Sequence, residues 1–229
     1  MNYDIILMDA DETLFDFEQA EAHAFRHAME EFHLPYHEED RLLYRTVNQS
    51  LWDALERGET TQDALKVERF RLLFEQLGFT VDCEAFNHTF LNALSDGYFT
   101  IDGAAQLCKT LHEAGCKLYI ATNGIGTTQR KRLAHSDIHS YISDLFISEE
   151  LGFHKPRAEF FDALFAKLEI TDRSRAILLG DSLTSDMQGG KNAGIATCWF
   201  NPRRTPCPKP QLCDSEIHTL TQFIAIVTG

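Results

Sequence analysis

The sequence lacks any long apolar stretch, and its apolar runs are short ones such as Ile5–Met8. A membrane-spanning helix needs roughly 18 consecutive residues of predominantly apolar character, so a membrane protein is excluded. The first residues also lack the basic start and the small-residue cleavage site of a secretory signal. We therefore expect a cytoplasmic protein with no membrane partner.

Basic residues are scarce, because 21 lysines and arginines face 35 acidic residues and leave a formal net charge of −14. Such a surface repels nucleic acids and anionic lipids. Nucleic-acid polymers are therefore excluded as partners. A small anionic substrate stays compatible with this charge if a metal ion or a local cation receives it. Monomer and homodimer are both compatible with the sequence.

The six cysteines contain no CxxC pair. The spacing of Cys198, Cys207 and Cys213 matches no common zinc pattern, so reduced thiols are expected. With 44% hydrophobic and 24% charged residues, the composition is that of an ordinary globular protein, which excludes disorder. A length of 229 residues favours one large domain that carries a sizeable insertion.

Hydrophobic periodicity predicts a buried strand over 3–8, followed by helices only, from about residue 16 to 95. Thr60 and Thr61 can cap a helix that runs to Leu77 and that Gly78 ends. A short helix is predicted at 51–55 and another over about 83–94. This region is therefore expected to be a helical insertion.

After Gly97 the pattern alternates between helices and strands. Strands are predicted at 116–121, 145–148, 176–180 and 195–200, with helices near 104–114, 127–135, 157–168, 185–193 and 218–227. Four of the six prolines lie in 201–210, which predicts a loop. Strands separated by helices indicate an α/β fold with a doubly wound parallel sheet. The predicted domains are an α/β core of 1–15 and 97–229 and a helical insertion of 16–96.

Four polar clusters stand at or near the ends of predicted strands. They are the segments 9–13 (DADET), 122–124 (TNG), 155–156 (KP) and 180–182 (GDS), the last followed by Asp186. In open α/β sheets, ligands bind beyond the carboxyl ends of the strands. Each cluster alone also has a purely structural explanation. Asp9 and Asp11 could be ordinary acids of a turn, Thr122 a helix cap and Lys155 a solvated loop residue.

In order, residue type and context, these clusters resemble the four motifs of the haloacid dehalogenase-like (HAD) superfamily. The resemblance spans the whole chain and implies a Rossmann-like HAD core with an inserted C1-type helical cap. It implies that Asp9 is the nucleophile that forms an aspartyl-phosphate, and that Asp11 is the general acid and then the general base. It further implies that the phosphoryl oxygens are held by Thr122, Asn123 and Lys155.

The resemblance also implies an Mg²⁺ site made by Asp9, Asp181 and the backbone carbonyl of Asp11, with Asp186 orienting the metal's water shell. Charge supports a cation, because four clustered aspartates face one lysine and a phosphate dianion must approach them. A dehalogenase has no leaving oxygen to protonate, so the presence of Asp11 favours phosphoryl transfer.

Longer segments resemble bacterial pyrimidine-nucleotide 5′-phosphatases, a group that shares Glu12 where most superfamily members carry glycine. They are DADETLFDF (9–17), VNQSLWDALERGETT (47–61), ISEELGFHKP (147–156) and GGKNAGIATCWFNP (189–202). This resemblance implies hydrolysis of dUMP, dTMP and UMP. The alternatives are a capped phosphatase or phosphoglucomutase that acts on a sugar phosphate, and a non-catalytic nucleotide-binding protein on the same fold.

Overall fold

The computed structural model of the protein describes residues 2–229 and contains two compact units. One unit combines residues 2–17 with Tyr98–Gly229, and the other is Glu18–Gly97. The strands are β1 (Ile5–Met8), β2 (Lys117–Thr122), β3 (Asp144–Ile147), β4 (Ala176–Gly180), β5 (Ala196–Phe200) and β6 (Ser215–Ile217). The helices are α1 (Phe17–Glu31), α2 (Glu38–Glu56), α3 (Gln62–Leu77), α4 (Cys83–Ser95), α5 (Ala104–Glu113), α6 (Gly126–His135), α7 (Ser148–Leu151), α8 (Ala158–Lys167), α9 (Gln188–Ala193) and α10 (Thr221–Thr228).

The six strands form one parallel sheet in the order β3-β2-β1-β4-β5-β6. The chain first builds the sheet outward from β1 through β2 and β3, and then crosses to the other side of β1 to add β4, β5 and β6. This reversal makes the carboxyl end of β1 the topological switch point, where open α/β sheets bind ligands. The predicted doubly wound parallel α/β class is confirmed.

Both faces of the sheet are covered, which explains why the central strands are continuous apolar runs instead of alternating ones. Ile6 and Met8 belong to a buried cluster with Leu107 of α5. Leu7 points to the opposite face and packs in a second cluster with Phe161 of α8. Full burial of an apolar side chain of this kind stabilises the folded state by about 1.5–3 kcal/mol relative to leaving it exposed. Parallel pairing of β1 with β4 between these two layers places the carboxyl ends of the two strands side by side.

The Glu18–Gly97 unit is entirely helical, and its helix ends follow from local chemistry. The Thr61 side chain accepts a hydrogen bond from the backbone N–H of Ala64 at 3.3 Å and so caps α3. Gly78 ends this helix with a φ of 72°, a left-handed conformation that glycine adopts without strain. The predicted start and end of this helix are confirmed.

Arg69 is a buried cation at the centre of the helical unit, with 2% of its surface exposed. Its guanidinium donates to Tyr44 Oη at 3.2 Å, to Asn48 Oδ1 at 3.3 Å and to Asn87 Oδ1 at 2.8 Å. It also lies 5.0 Å above the ring of Phe90. A buried charge is tolerated only when hydrogen bonds replace its hydration, so this network ties α2, α3 and α4 together.

Glu21 of α1 is a second buried charged group in this unit, with 2% of its surface exposed. Its Oε1 lies 3.6 Å from Arg41 Nη1 and 3.6 Å from Arg45 Nε. Burial raises the pKa of Glu21 from 4.5 to about 7, although Arg45, Arg41 and Arg69 act to lower it and Glu18 raises it further. The two nearest arginines therefore do not fully offset the loss of hydration.

This raised pKa predicts a pH-dependent stability. Between pH 4.5 and about 7 the folded chain retains a proton on Glu21 that the unfolded chain releases, so stability is lost as pH rises through this window. The shift corresponds to about 3 kcal/mol in the free energy of unfolding. We expect Glu21→Gln to remove this loss in urea unfolding at acidic and alkaline pH. Glu75→Gln, the matched control, should retain it, because Glu75 pairs with Arg71 on the surface of α3. Parallel pH profiles for wild type and Glu21→Gln would contradict the assignment.

Some elements differ from the sequence-based predictions. The short helix predicted at 51–55 is wrong, because these residues belong to the 19-residue helix α2. Strand β6 was not predicted, since its three residues carry almost no apolar pattern and are held by pairing with β5. The last helix begins at Thr221 instead of 218. The π-helical turn Leu183–Met187 precedes α9, where one continuous helix was predicted from residue 185.

The cysteines are free thiols throughout the described residues, in agreement with the sequence. Among residues 2–229, no helix has both the length and the apolar character needed to cross a membrane.

Candidate active site

Asp9 is the first residue beyond β1, and its backbone N–H donates to the Leu179 carbonyl on β4 at 2.9 Å. The chain then turns tightly, because the Phe15 N–H donates back to the Ala10 carbonyl at 2.8 Å. Glu12, inside this turn, has a φ of 57°. Glycine adopts this left-handed conformation most easily, so a non-glycine residue here is held in it by the turn. The turn places Asp9 and Asp11 just past the sheet edge.

Three carboxylates meet at this edge. Oxygen atoms of Asp9, Asp181 and Asp186 all lie within 4.8 Å of one another. Asp181 directly follows β4, and Asp186 is fully buried in the π-helical turn, where its Oδ2 accepts from the Ser182 N–H at 3.1 Å. A Cβ atom at Gly180 would lie 2.3 Å from this same oxygen, so glycine is required at the end of β4.

Lys155 supplies the positive charge of the cluster and is 1% exposed. Its Nζ donates to Asp9 Oδ1 at 2.6 Å, to Asp186 Oδ1 at 2.6 Å and to the Ala121 carbonyl at 2.7 Å. The Asn123 side chain holds the lysine's backbone from both sides. Its Oδ1 accepts from the Lys155 N–H at 2.8 Å and its Nδ2 donates to the Lys155 carbonyl at 2.9 Å. Asn123 therefore fixes the position of Lys155.

The cluster has too little positive charge for its carboxylates. Burial raises the pKa of Asp9 to about 7; Lys155 lowers it, whereas Asp186 and Asp11 raise it further. The pKa of Asp181 is also raised, by burial first and then by Asp186 and Asp9. Burial acts to lower the pKa of Lys155, but Asp186 and Asp9 outweigh it and raise this pKa, so the lysine stays charged. Three hard oxygen donors with one lysine fit a divalent cation such as Mg²⁺.

Three further polar groups line the strand ends. Thr122, at the end of β2, is 1% exposed, and its Oγ1 accepts from the Gly124 N–H at 3.0 Å. The Thr13 hydroxyl donates to Asp181 Oδ1 at 3.3 Å, and Trp199 Nε1 donates to the Asp181 carbonyl at 2.7 Å. Sequence reasoning missed Thr13 and Trp199, although both lie within segments that it had singled out. They hold Asp181 from its side chain and its backbone.

The Asp11 carboxylate has partners of its own. Its Oδ1 accepts from Arg132 Nη1, and its Oδ2 accepts from Gln129 Nε2 at 2.6 Å. Sequence reasoning missed Gln129 and Arg132. The signal that could have found them is their spacing of three residues on the helix that follows the Thr122-Asn123-Gly124 cluster, since such residues share a helix face.

Comparison with known proteins agrees with this geometry. Residues 6–200 match the family model described as haloacid dehalogenase-like hydrolase. The chain belongs to the haloacid dehalogenase-like hydrolases. This hydrolase is 36% identical over 225 residues to the HAD-hydrolase YfnB of Bacillus subtilis (strain 168), which covers 98% of the chain and 95% of the relative. A YfnB crystal structure, described as bound to magnesium and revealing interdomain movement, matches with a TM-score of 0.93, 36% identity and 100% coverage of both chains.

Two relatives that align along most of this chain are named for the same substrate class. The pyrimidine 5′-nucleotidase PynA of Streptococcus pneumoniae (strain ATCC BAA-255 / R6) is 36% identical over 202 residues, 88% of this chain and 85% of its own. The pyrimidine 5′-nucleotidase YjjG of Escherichia coli (strain K12) is 34% identical over 227 residues, 98% of this chain and 99% of its own. A 2-haloacid dehalogenase from Pseudomonas syringae shares the fold, with a TM-score of 0.69 at 22% identity.

The residues singled out in the sequence of this hydrolase fall into three places. Asp9, Asp181, Asp186 and Lys155 are in one cluster. Thr122 and Asn123 lie beside this cluster at the end of β2. The Thr122 hydroxyl accepts from the Gly124 N–H, and the Asn123 side chain bonds to the Lys155 backbone. Asp11 lies two residues from Asp9, but its side chain contacts α6.

Proposed function

We propose that this hydrolase is an Mg²⁺-dependent phosphatase that cleaves pyrimidine nucleoside 5′-monophosphates such as dUMP, dTMP and UMP through an aspartyl-phosphate. The observation that carries the proposal is the cluster of three carboxylates around one buried lysine at the switch point of the sheet. The substrate class is supported by the two relatives named pyrimidine 5′-nucleotidase, at 34% and 36% identity.

Magnesium would be held by the carboxylates of Asp9 and Asp181 and by the backbone carbonyl of Asp11. Both oxygens of Asp186 already accept hydrogen bonds, from Lys155 and from the Ser182 N–H, which supports a role in orienting metal-bound water instead of direct ligation. When bound, the ion would neutralise the phosphate dianion and the charge that develops on it. The magnesium reported in the YfnB structure supports magnesium as the cation.

In the first step a carboxylate oxygen of Asp9 attacks phosphorus, and the bond from phosphorus to the nucleoside 5′-oxygen breaks. Asp11 gives a proton to that leaving oxygen. In the second step Asp11 takes a proton from the water that attacks the aspartyl-phosphate, which releases inorganic phosphate and restores Asp9. The Thr122 hydroxyl would hold a phosphoryl oxygen. Lys155 would hold another by exchanging its hydrogen bond to Asp9 for one to the phosphoryl group, because its three N–H groups are donated to Asp9, Asp186 and the Ala121 carbonyl. Asn123 would contribute through its backbone, because its side chain is engaged by Lys155.

The helical unit Glu18–Gly97 is proposed to act as the cap that excludes water from this chemistry. Its insertion directly after the Asp9–Asp11 turn supports this role, as does the interdomain movement reported for YfnB. A closing cap suits small soluble phosphate esters and not phosphoproteins. Substrate choice would then depend on residues of the helical unit.

The test is phosphate release from a panel of nucleoside monophosphates and sugar phosphates, with Mg²⁺ and with excess EDTA. We expect the highest kcat/KM for dUMP, dTMP or UMP and loss of turnover with EDTA, because without a cation the site repels the dianion. Restoration by added Mg²⁺ is the control for the chelator.

Each competing outcome has a distinct meaning. Preference for sugar phosphates would overturn the nucleotide assignment, and sugar-phosphate isomerisation without phosphate release would indicate a mutase. Full activity in EDTA would overturn the metal assignment. Nucleotide binding without turnover in Mg²⁺ would favour the non-catalytic alternative.

A further inference from the structure

We propose that Gln129 and Arg132 are positioning residues that orient Asp11 for proton transfer, an inference that rests on the proposed function. Each oxygen of the Asp11 carboxylate accepts a hydrogen bond from one of them. The Asp11 side chain is 27% exposed, whereas that of Arg132 is fully buried. The accessible carboxylate is therefore held from its protein side by two donors on α6.

Arg132 is itself held in place. Its guanidinium lies 4.7 Å above the ring of Phe15, which is 1% exposed. Phe15 belongs to the same turn as Asp11, and the two residues form a β-bridge. The flat face of the guanidinium therefore packs on the Phe15 ring, while an N–H group at its edge donates to the Asp11 carboxylate. A lysine cannot make both contacts, because its ammonium group is not planar. This arrangement leaves the Asp11 side chain little rotational freedom.

Gln129 depends on a glycine nearby. It is 3% exposed, and a Cβ atom at Gly124 would lie 2.2 Å from its Nε2. Any side chain at Gly124 would displace the amide from Asp11. The glycine that follows Thr122 and Asn123 thus has a steric function in this chain, because it leaves room for the donor that reaches Asp11.

The two donors should matter only where proton transfer from Asp11 limits the reaction. A nucleoside 5′-oxygen is a poor leaving group and needs a proton as it departs. The p-nitrophenolate of p-nitrophenyl phosphate is stable as an anion and needs none. A residue that only held α6 against the turn would affect both substrates equally, so the comparison separates positioning from structural support.

The experiment measures kcat/KM for dUMP and for p-nitrophenyl phosphate in wild type, Gln129→Met and Arg132→Lys. The value of kcat/KM reports the steps up to formation of the aspartyl-phosphate. It does not report the later hydrolysis, where both substrates have given the same intermediate and Asp11 acts on it in the same way. We expect a fall of about 10- to 100-fold for dUMP, as for a misaligned catalytic group, and a change within about threefold for p-nitrophenyl phosphate, whose leaving group needs no acid.

Arg130→Lys is the matched control, since Arg130 lies on the same helix but pairs with Glu150 through Nε at 2.9 Å. It should leave kcat/KM unchanged for both substrates.

Equal losses of kcat/KM with both substrates in Gln129→Met and Arg132→Lys would overturn the inference and leave the proposed function intact. A wild-type protein that releases phosphate from neither ester would overturn the proposed function itself. Arg132→Lys retains the buried positive charge, and Gln129→Met retains the side-chain volume. Because the two substitutions disturb the packing differently, the same selective loss with dUMP in both variants could not result from misfolding.

Discussion

Asp9→Asn is expected to abolish phosphate release, with a loss of about 10⁴-fold or more, while the fold survives. The amide matches the carboxylate in shape but is a poor nucleophile, so no aspartyl-phosphate can form. The fold should tolerate the change, because burial already raises the pKa of Asp9 to about 7 and Lys155 keeps Asp186 and the Ala121 carbonyl as acceptors. Single-turnover phosphate release and thermal unfolding would measure the two effects.

The matched control is Asp4→Asn, which lies just before the other end of β1 and pairs with Arg175 at the surface. It should leave activity unchanged. An Asp9→Asn protein that retained turnover would refute the covalent scheme. A variant that lost activity because it no longer folded would show a lowered unfolding temperature, which distinguishes that case.

Lys155→Met is expected to reduce the free energy of unfolding by about 3–5 kcal/mol in EDTA. The lysine is the cation between Asp9 and Asp186, and its removal leaves buried carboxylates without their hydrogen-bonded counter-charge. Urea unfolding would measure the loss. Excess Mg²⁺ should offset part of it, because an ion that binds only the folded cluster stabilises that state.

Lys191→Met is the control for this second variant. Lys191 pairs with Asp214 at 2.5 Å, but both side chains are partly exposed, so the loss should stay within about 1 kcal/mol. A Lys155→Met protein as stable as the control variant would show that the buried ion pairs do not hold the site together. A loss unaffected by Mg²⁺ would contradict a shared cation site.

Much of the candidate site could be predicted because its parts lie next to strand ends. Asp9 follows β1, Thr122 ends β2 and Asp181 follows β4, and parallel strands bring their carboxyl ends to one edge. Lys155 and Asp186 lie in the segments that follow β3 and β4. Proximity among these residues therefore follows from element order, which hydrophobic periodicity reveals.

Elements with weak local patterns were not predictable in the same way. The edge strand β6 has three residues and depends on hydrogen bonds from β5. Helix α2 extends 19 residues because its buried side chains pack within the helical unit, although its sequence indicates only a short helical piece. In both cases the decisive contacts come from residues distant in the chain.

The sequence by itself determined the order of helices and strands, the parallel α/β class, the insertion after the first strand and the polar clusters at the strand ends. These depend on periodicity and turn chemistry, which act over a few residues. Only the tertiary structure decided that Arg132 and Gln129 reach Asp11 across more than a hundred residues, and that the Asn123 side chain holds the Lys155 backbone. Such contacts arise when whole elements pack. A local pattern can place two residues on one helix face, but it does not say which residue that face will contact.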